Sequence, residues 1–215
     1  MGRGFAALIG ALWLVTGAAF AQEEARYRIE VTFAWDGATG AGHPEDKHWS
    51  RLIAFAHSAR YALFEDGDTA SSGLALVATN GRVTVLEAEL AEARRRGRVG
   101  AHVVAPGLDN GVGTFVVELP VTARHSLVSF ATMLAPSPDW FSGVSGVELR
   151  DADMWRDAVS RPLWVWDAGA DSGPAFSGPN MDTQPRQSVR LLTHPAFLTD
   201  AGLRPIGTVR FTRLP

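Results

Sequence analysis

Tyr27-Arg28-Ile29-Glu30-Val31-Thr32-Phe33-Ala34-Trp35 places an apolar residue at every odd position, with Arg28, Glu30 and Thr32 between them. That period of two belongs to a half-buried strand, because successive side chains on a strand point to opposite faces. Phe115, Val117, Leu119 and Val121 repeat the pattern around Val116, Glu118 and Pro120. Proline cannot donate to a sheet ladder, so Pro120 marks an edge strand or a bulge. Leu127 to Leu134 is nearly all apolar, as a central strand of a sandwich would be. Val147–Leu149, Leu163–Trp166 and Gly207–Leu214 are further short strand candidates. Clusters of Gly, Pro, Asp and Ser separate them, which is turn chemistry. Many short strands with such breaks predict an all-β antiparallel sandwich.

One helix is expected, with a second shorter one before it over Ser72 to Thr79. Thr84-Val85-Leu86-Glu87 has the form of a capping box, in which the threonine hydroxyl and the glutamate satisfy each other's backbone N–H groups. Leu86, Leu90 and Ala93 then share a face. Glu87, Glu89 and Glu92 come early, Arg94 to Arg96 late, and Gly97 follows as a stop, an order that suits the helix dipole. The three arginines read as a solvated last turn or as an anion-binding patch, the first being the simpler account. Asp36 to Asp46 is a glycine-rich loop. Gly169 to Thr193, with Pro174, Pro179 and Pro185, is a long irregular stretch of the kind that forms a functional or packed surface loop.

Composition bounds the function. The 215 residues are 46% hydrophobic, enough to bury a core, and the formal net charge of −3 argues against nucleic-acid binding. There is no cysteine, which excludes disulfides, thiolate zinc sites and a cysteine nucleophile. At the start, Arg3 precedes an uncharged run from Phe5 to Phe20, and Ala19-Phe20-Ala21 offers small residues at the −3 and −1 positions. This reads as a signal peptide over residues 1–21, cleaved after Ala21, leaving one domain over residues 22–215. No later segment reaches a transmembrane length. The expected location is therefore secreted or periplasmic.

The residues that could carry chemistry are mostly aspartates. Trp166-Asp167-Ala168-Gly169-Ala170-Asp171-Ser172-Gly173 sets two carboxylates four apart, each followed by glycine. Glycine lets the backbone fold both toward one point. Two carboxylates near 4 Å without a cation would repel by about 4 kcal/mol at an effective dielectric of ~20. Calcium takes six to eight oxygens from such flexible loops, although the spacing is not that of an EF-hand. Plain turn capping would place aspartates there too. Ala135-Pro136-Ser137-Pro138-Asp139-Trp140-Phe141 follows the apolar strand, and its two prolines stiffen the strand exit that presents Asp139.

These two runs carry a resemblance. Ala135 to Val144 and Trp166 to Gly173 resemble the two most characteristic segments of the spondin domain, the N-terminal module of the F-spondin and mindin family. Weaker matches occur in order at Tyr27 to Trp35, His48 to Ile53, and Ala70 to Gly73. The resemblance implies an antiparallel β-sandwich similar to C2 domains. It also implies one divalent cation, usually calcium, held by loops at one end. The family's metal carboxylates fall on Asp139, Asp167 and Asp171 here. The cysteines and thrombospondin-type repeats of animal relatives have no counterpart in this chain.

Enzyme readings are weaker. Asp171-Ser172-Gly173-Pro174 has a superficial likeness to the nucleophile segment of trypsin-like proteases, yet no matching histidine segment accompanies it. No Gly-x-Ser-x-Gly elbow occurs. His43, Glu45, Asp46 and His48 fit no helical zinc spacing, and the other histidines read as structural or surface residues. Trp164 and Trp166 share parity, so on a strand they face one way, either as a sugar-stacking platform or as core and lid. The expectation is thus a non-catalytic, exported, calcium-binding β-sandwich. Its role would be adhesion or ligand binding at a cell surface, envelope or matrix, with an unidentified protein or glycan partner. The alternative is a calcium-dependent carbohydrate- or lipid-binding module. A hydrolase is a third reading that no constellation of residues supports.

Overall fold

The computed structural model describes residues 23–36 and 43–215. The expected signal peptide, and residues 37–42 of the glycine-rich loop, lie outside the described residues. In chain order the elements begin with strands β1 (Glu24–Ala34), β2 (His48–Trp49) and β3 (Leu52–His57), then helices α1 (Ser72–Asn80) and α2 (Thr84–Arg95). There follow β4 (Val99–Ala105), β5 (Val112–Thr122), β6 (Leu127–Ala135), β7 (Trp140–Glu148), β8 (Arg150–Asp151) and β9 (Met154–Trp155). The last are β10 (Ala158–Leu163), β11 (Val165–Asp167), β12 (Arg190–Leu191), β13 (Leu198–Thr199), β14 (Gly202–Leu203) and β15 (Gly207–Arg213).

Two antiparallel sheets face each other. One has the order β10-β15-β1-β5, and the other β12-β11-β7-β6-β3-β4, with β2 pairing β6. The alternation read from the sequence is the alternation found. Tyr27, Ile29, Val31 and Phe33 of β1, with Phe115, Leu119 and Val121 of β5, point into the core between the sheets. Pro120 lies on the edge strand β5 opposite Arg26, where its missing N–H costs no ladder bond. As expected, β6 is central, between β3 and β7.

Three readings needed correction. Val147–Leu149 is not a separate strand: Val147 and Glu148 are the last two residues of β7, which starts at Trp140. Leu163–Trp166 is two strands, because the chain leaves the first sheet at Leu163 and joins the second at Val165. The capping box does not form. α2 begins one residue earlier in register, with Val83 as N-cap and no side-chain cap among the described residues. Val83 is 1% exposed, so the burial of its side chain fixes where the helix enters.

α1 and α2 cover the outer face of the second sheet, over a second apolar layer that includes Ile53, Phe55, Leu74, Leu86, Leu90 and Phe141. The predicted α2 face of Leu86, Leu90 and Ala93 is buried there. Gly73 permits the close approach of the helices: a Cβ on it would lie 2.6 Å from the Leu86 Cα and from a Glu89 oxygen. At the end of α2, Arg95 and Arg96 both pair with Glu92, and Arg94 donates to the Gly100 carbonyl. The arginine run is thereby a solvated last turn tied to its own helix and to Gly100.

Candidate metal centre

Asp139 closes the loop between β6 and β7. Ser137 shapes that loop, its hydroxyl donating to the Leu134 carbonyl at 2.5 Å and accepting the Trp140 N–H at 3.1 Å. The result is a carboxylate with no exposed surface. Its Oδ2 accepts the N–H groups of Ala170 and Asp171 at 2.6 and 3.0 Å. Its Oδ1 is buried with no hydrogen-bond partner among the described residues. A buried carboxylate oxygen left unpaired is costly, and such atoms are rare in folded proteins.

Asp167 ends β11, where Oδ1 accepts the Gly169 N–H at 2.7 Å. Gly169 sits at φ +69° and turns the chain toward Asp171. Asp171 is 6% exposed. Its Oδ1 accepts from the Gly173 N–H at 2.8 Å and its Oδ2 from the Met181 N–H at 3.0 Å. The turn-capping role open in the sequence is therefore real for both Asp167 and Asp171.

The three carboxylates feel one another. Burial, and then the charge of Asp167, raise the Asp139 carboxyl to about 6, although the Ala170 and Asp171 amides pull it down. Burial also raises Asp167, with Asp171 adding to the rise and the Gly169 amide and Arg190 opposing it. Among the described residues, no three His, Cys, Asp or Glu side chains are grouped closely enough to hold an ion as they stand. The feature that fits a cation is the unpaired Oδ1 of Asp139, with two further carboxylates on the adjoining loop. The donor set is all oxygen, which suits a hard cation and not zinc or copper.

Two small clefts meet here and share Gly173 and Pro174. One of about 230 Å³ is lined by Asp171, Ser137, Phe176 and Asn180. The other, of about 280 Å³, is lined by Asp167, Trp140, Arg190 and His194. The irregular stretch after Gly169 is the packed loop the sequence predicted. It is stapled to the aspartate loop by Ser172 N–H to the Met181 carbonyl, Thr183 N–H to Ala170, and Gln187 N–H to Gly169.

Some participants were not read from the sequence. The Met181 amide is ten residues from the carboxylate it serves, so only the path of the loop reveals it. His194, read as a scattered structural or surface residue, and His43, weighed only as a zinc ligand of unfitting spacing, join Trp140, Phe176 and Phe197 in one aromatic cluster beside Asp167. Burial lowers the His194 imidazole, with His43 adding to the effect. Ser172 donates to the Met181 carbonyl, an arrangement that caps a turn and does not activate a nucleophile.

Comparison with known proteins gives one consistent answer. The Spondin_N family model matches residues 25–199. Human Spondin-2 is 37% identical over 205 residues, covering 88% of this chain and 62% of its own length. Rat Spondin-2 is similar to the same extent. Chicken Spondin-1 is 35% identical over 179 residues, covering 79% of this chain and 22% of its own. The chain thus spans less than two thirds of the length of these relatives.

Proposed function

Since the chain belongs to the spondin N-terminal domain family, we propose that it is a non-catalytic extracellular binding module stiffened by one calcium ion. The observation that carries this reading is the fully buried Asp139 with an unpaired Oδ1, facing a loop that brings Asp167 and Asp171. Asp139, Asp167 and Asp171 would hold the ion, with backbone carbonyls and water completing its oxygen shell. A bound cation would supply positive charge where burial and neighbouring charge now disfavour the ionised carboxylates of Asp139 and Asp167. It would tie the Pro136–Asp139 loop to the loop after β11 and so fix one end of the sandwich. Adhesion or ligand binding at a cell surface, envelope or matrix is the role that such a rigid loop end serves, with a protein or glycan as partner. The formal charge of −3 supports leaving nucleic acid aside. No helix among the described residues is long and apolar enough to cross a membrane. A secreted or periplasmic location accords with the leader read over residues 1–21.

The test is thermal unfolding of the purified protein in EDTA, then in millimolar calcium or magnesium. At calcium one hundred times its Kd, linkage gives about 2.7 kcal/mol of stabilisation, a rise in Tm of roughly 5–10 °C for a domain of this size. The rise should be calcium-selective and absent in Asp139→Asn, Asp167→Asn and Asp171→Asn. No rise in the wild type, together with no calcium binding by calorimetry, would leave the three aspartates as turn residues.

A further inference from the structure

The chain changes sheets at Trp164, between β10 and β11. Trp164 lies between the two strands, so the shared strand parity read from the sequence does not apply, yet it and Trp166 line the same groove. Both are partly exposed. Phe64 braces Trp166, with ring centroids 5.1 Å apart, and is itself held edge-on by Phe141 at 5.1 Å. The groove is open to solvent, with a volume of about 520 Å³, and includes Gly143 to Val147 of β7. An adjoining compartment of about 460 Å³, lined by His57 and Tyr61, shares Phe64, Glu65, Ser145 and Gly146 with it. The two compartments together are large enough for several linked rings.

The charges around it are mixed. Glu65, Asp66 and Glu148 stand with Arg161 in the larger compartment, and Arg60 lies in the smaller. A strongly charged polymer of either sign would meet repulsion as well as attraction. A pyranose presents an apolar C–H face to an aromatic ring and a girdle of hydroxyls that both donate and accept. Carboxylates accept from those hydroxyls and guanidinium groups donate to them. Half-buried indoles beside charged groups of both signs therefore complement a neutral sugar chain better than they complement a polyanion, a polycation or a wholly apolar ligand.

We propose that this groove binds a neutral oligosaccharide, whose rings stack on Trp164 and Trp166 and whose hydroxyls bond to Glu65, Asp66 and Arg161. The site is separate from the aspartate centre. Asp167 follows Trp166 on β11 and lines a different cleft, so the sugar needs no metal.

Calorimetry on the full chain in EDTA tests this, with the hexasaccharides of β-1,4-linked N-acetylglucosamine, glucose, xylose and mannose as probes. At least one should bind, and Trp164→Ala and Trp166→Ala should each weaken it about tenfold or more. Glu65→Gln should weaken it less, and Thr84→Ala, exposed on α2 and away from the groove, should leave it unchanged. Should Trp166→Ala fail to fold for lack of its contact with Phe64, Trp164→Ala and Glu65→Gln decide the matter. Absence of binding by all four sugars at millimolar concentration would overturn the proposal. So would equal affinity in Trp164→Ala, binding that requires calcium, or binding of a tetra-arginine peptide in place of any sugar. The failure of this proposal would not decide the calcium reading above, whose own readout is the EDTA-sensitive Tm.

Discussion

The carboxylate of Asp139 holds the backbone N–H of Ala170 at 2.6 Å across 31 residues of sequence. With the Asp171 N–H on the same oxygen, this bond ties the exit of β6 to the loop after β11. Hydrogen bonds from backbone amides to a buried carboxylate are charge-assisted and strong. Removing the acceptor leaves two donors buried and unpaired.

Asp139→Ala should therefore destabilise the protein by about 2–4 kcal/mol even in EDTA. Asp139→Asn retains one amide oxygen that can accept, and should cost less. Both should abolish the stabilisation by calcium. Urea unfolding of the three proteins, with and without calcium, separates the tie from the ion. An Asp139→Ala protein as stable as wild type in EDTA would show that the tie is dispensable.

Gly169 sets the direction of the same loop. Its φ of +69° disfavours any L side chain, and a Cβ there would collide with the Gln187 carbonyl. The Gly169→Ala protein should lose about 2 kcal/mol or more, through the left-handed backbone and the clash together. Its calcium response should also shrink, because Asp167 and Asp171 flank the distorted residue. Gly178→Ala is the control, since nothing lies within 4 Å of its added methyl and its φ is not in the left-handed range. Equal stability of the two variants in urea would contradict this account.

The helix layer makes a sharper contrast with the sequence. Glu87 was expected to cap its own helix with Thr84. Instead Glu89 caps the neighbouring helix: it accepts the Gly73 N–H at 2.8 Å and the Ser71 hydroxyl at 2.7 Å, while Ser71 accepts the Leu74 N–H at 3.1 Å. Glu89→Ala should cost about 1–2 kcal/mol, the range of a lost cap. Thr84→Ala should stay within about 0.5 kcal/mol of wild type, as an exposed helix residue without a capping bond does. Chemical denaturation of both variants checks the order, which reverses if the local capping box were the working one.

What the sequence shows depends on how many faces an element buries. β1 and β5 meet a core on one face and water on the other, so their alternation is plain. β3 is buried at every position, and β7 runs through Ser142, Gly143 and Gly146, because the second sheet has apolar layers on both faces. No period survives there, and both strands escape pattern reading. At the aspartate site the glycines and prolines flanking Asp139, Asp167 and Asp171 are local signals. The Gly169 and Gly173 amides on Asp167 and Asp171 are local too, two residues on, as turn capping expects. The Ala170 and Asp171 amides on Asp139 and the Met181 amide on Asp171 come from farther along the chain, and a linear pattern carries no trace of them.

The last expectation concerns pH. His57 is 1% exposed, and its Nε2 lies 2.7 Å from the hydroxyl of the fully buried Ser129. That hydroxyl accepts the Gly146 N–H at 2.8 Å and keeps its own proton to donate to Nε2 of a neutral ring. Nδ1–H then donates to the Ser58 carbonyl at 3.0 Å. The arrangement suits a neutral ring. Burial lowers the imidazole, helped by His125 and opposed by the Ser58 and Tyr61 backbones and by Glu148. With the folded value below the unfolded one of about 6.5, the unfolded chain takes up the proton first. The stabilisation is complete above about pH 6.5 and is lost as pH falls below it. Asp139, raised to about 6, works in the opposite direction over this range, so His57 is read by comparison. From pH 7.5 to pH 5 in urea, the wild type should lose more, or gain less, stability than His57→Gln, which has no proton to gain. Ser129→Ala should cost about 1–3 kcal/mol at pH 7.5, where it strands the Gly146 N–H and Nε2. An undiminished pH slope in His57→Gln would assign the acid sensitivity to other groups.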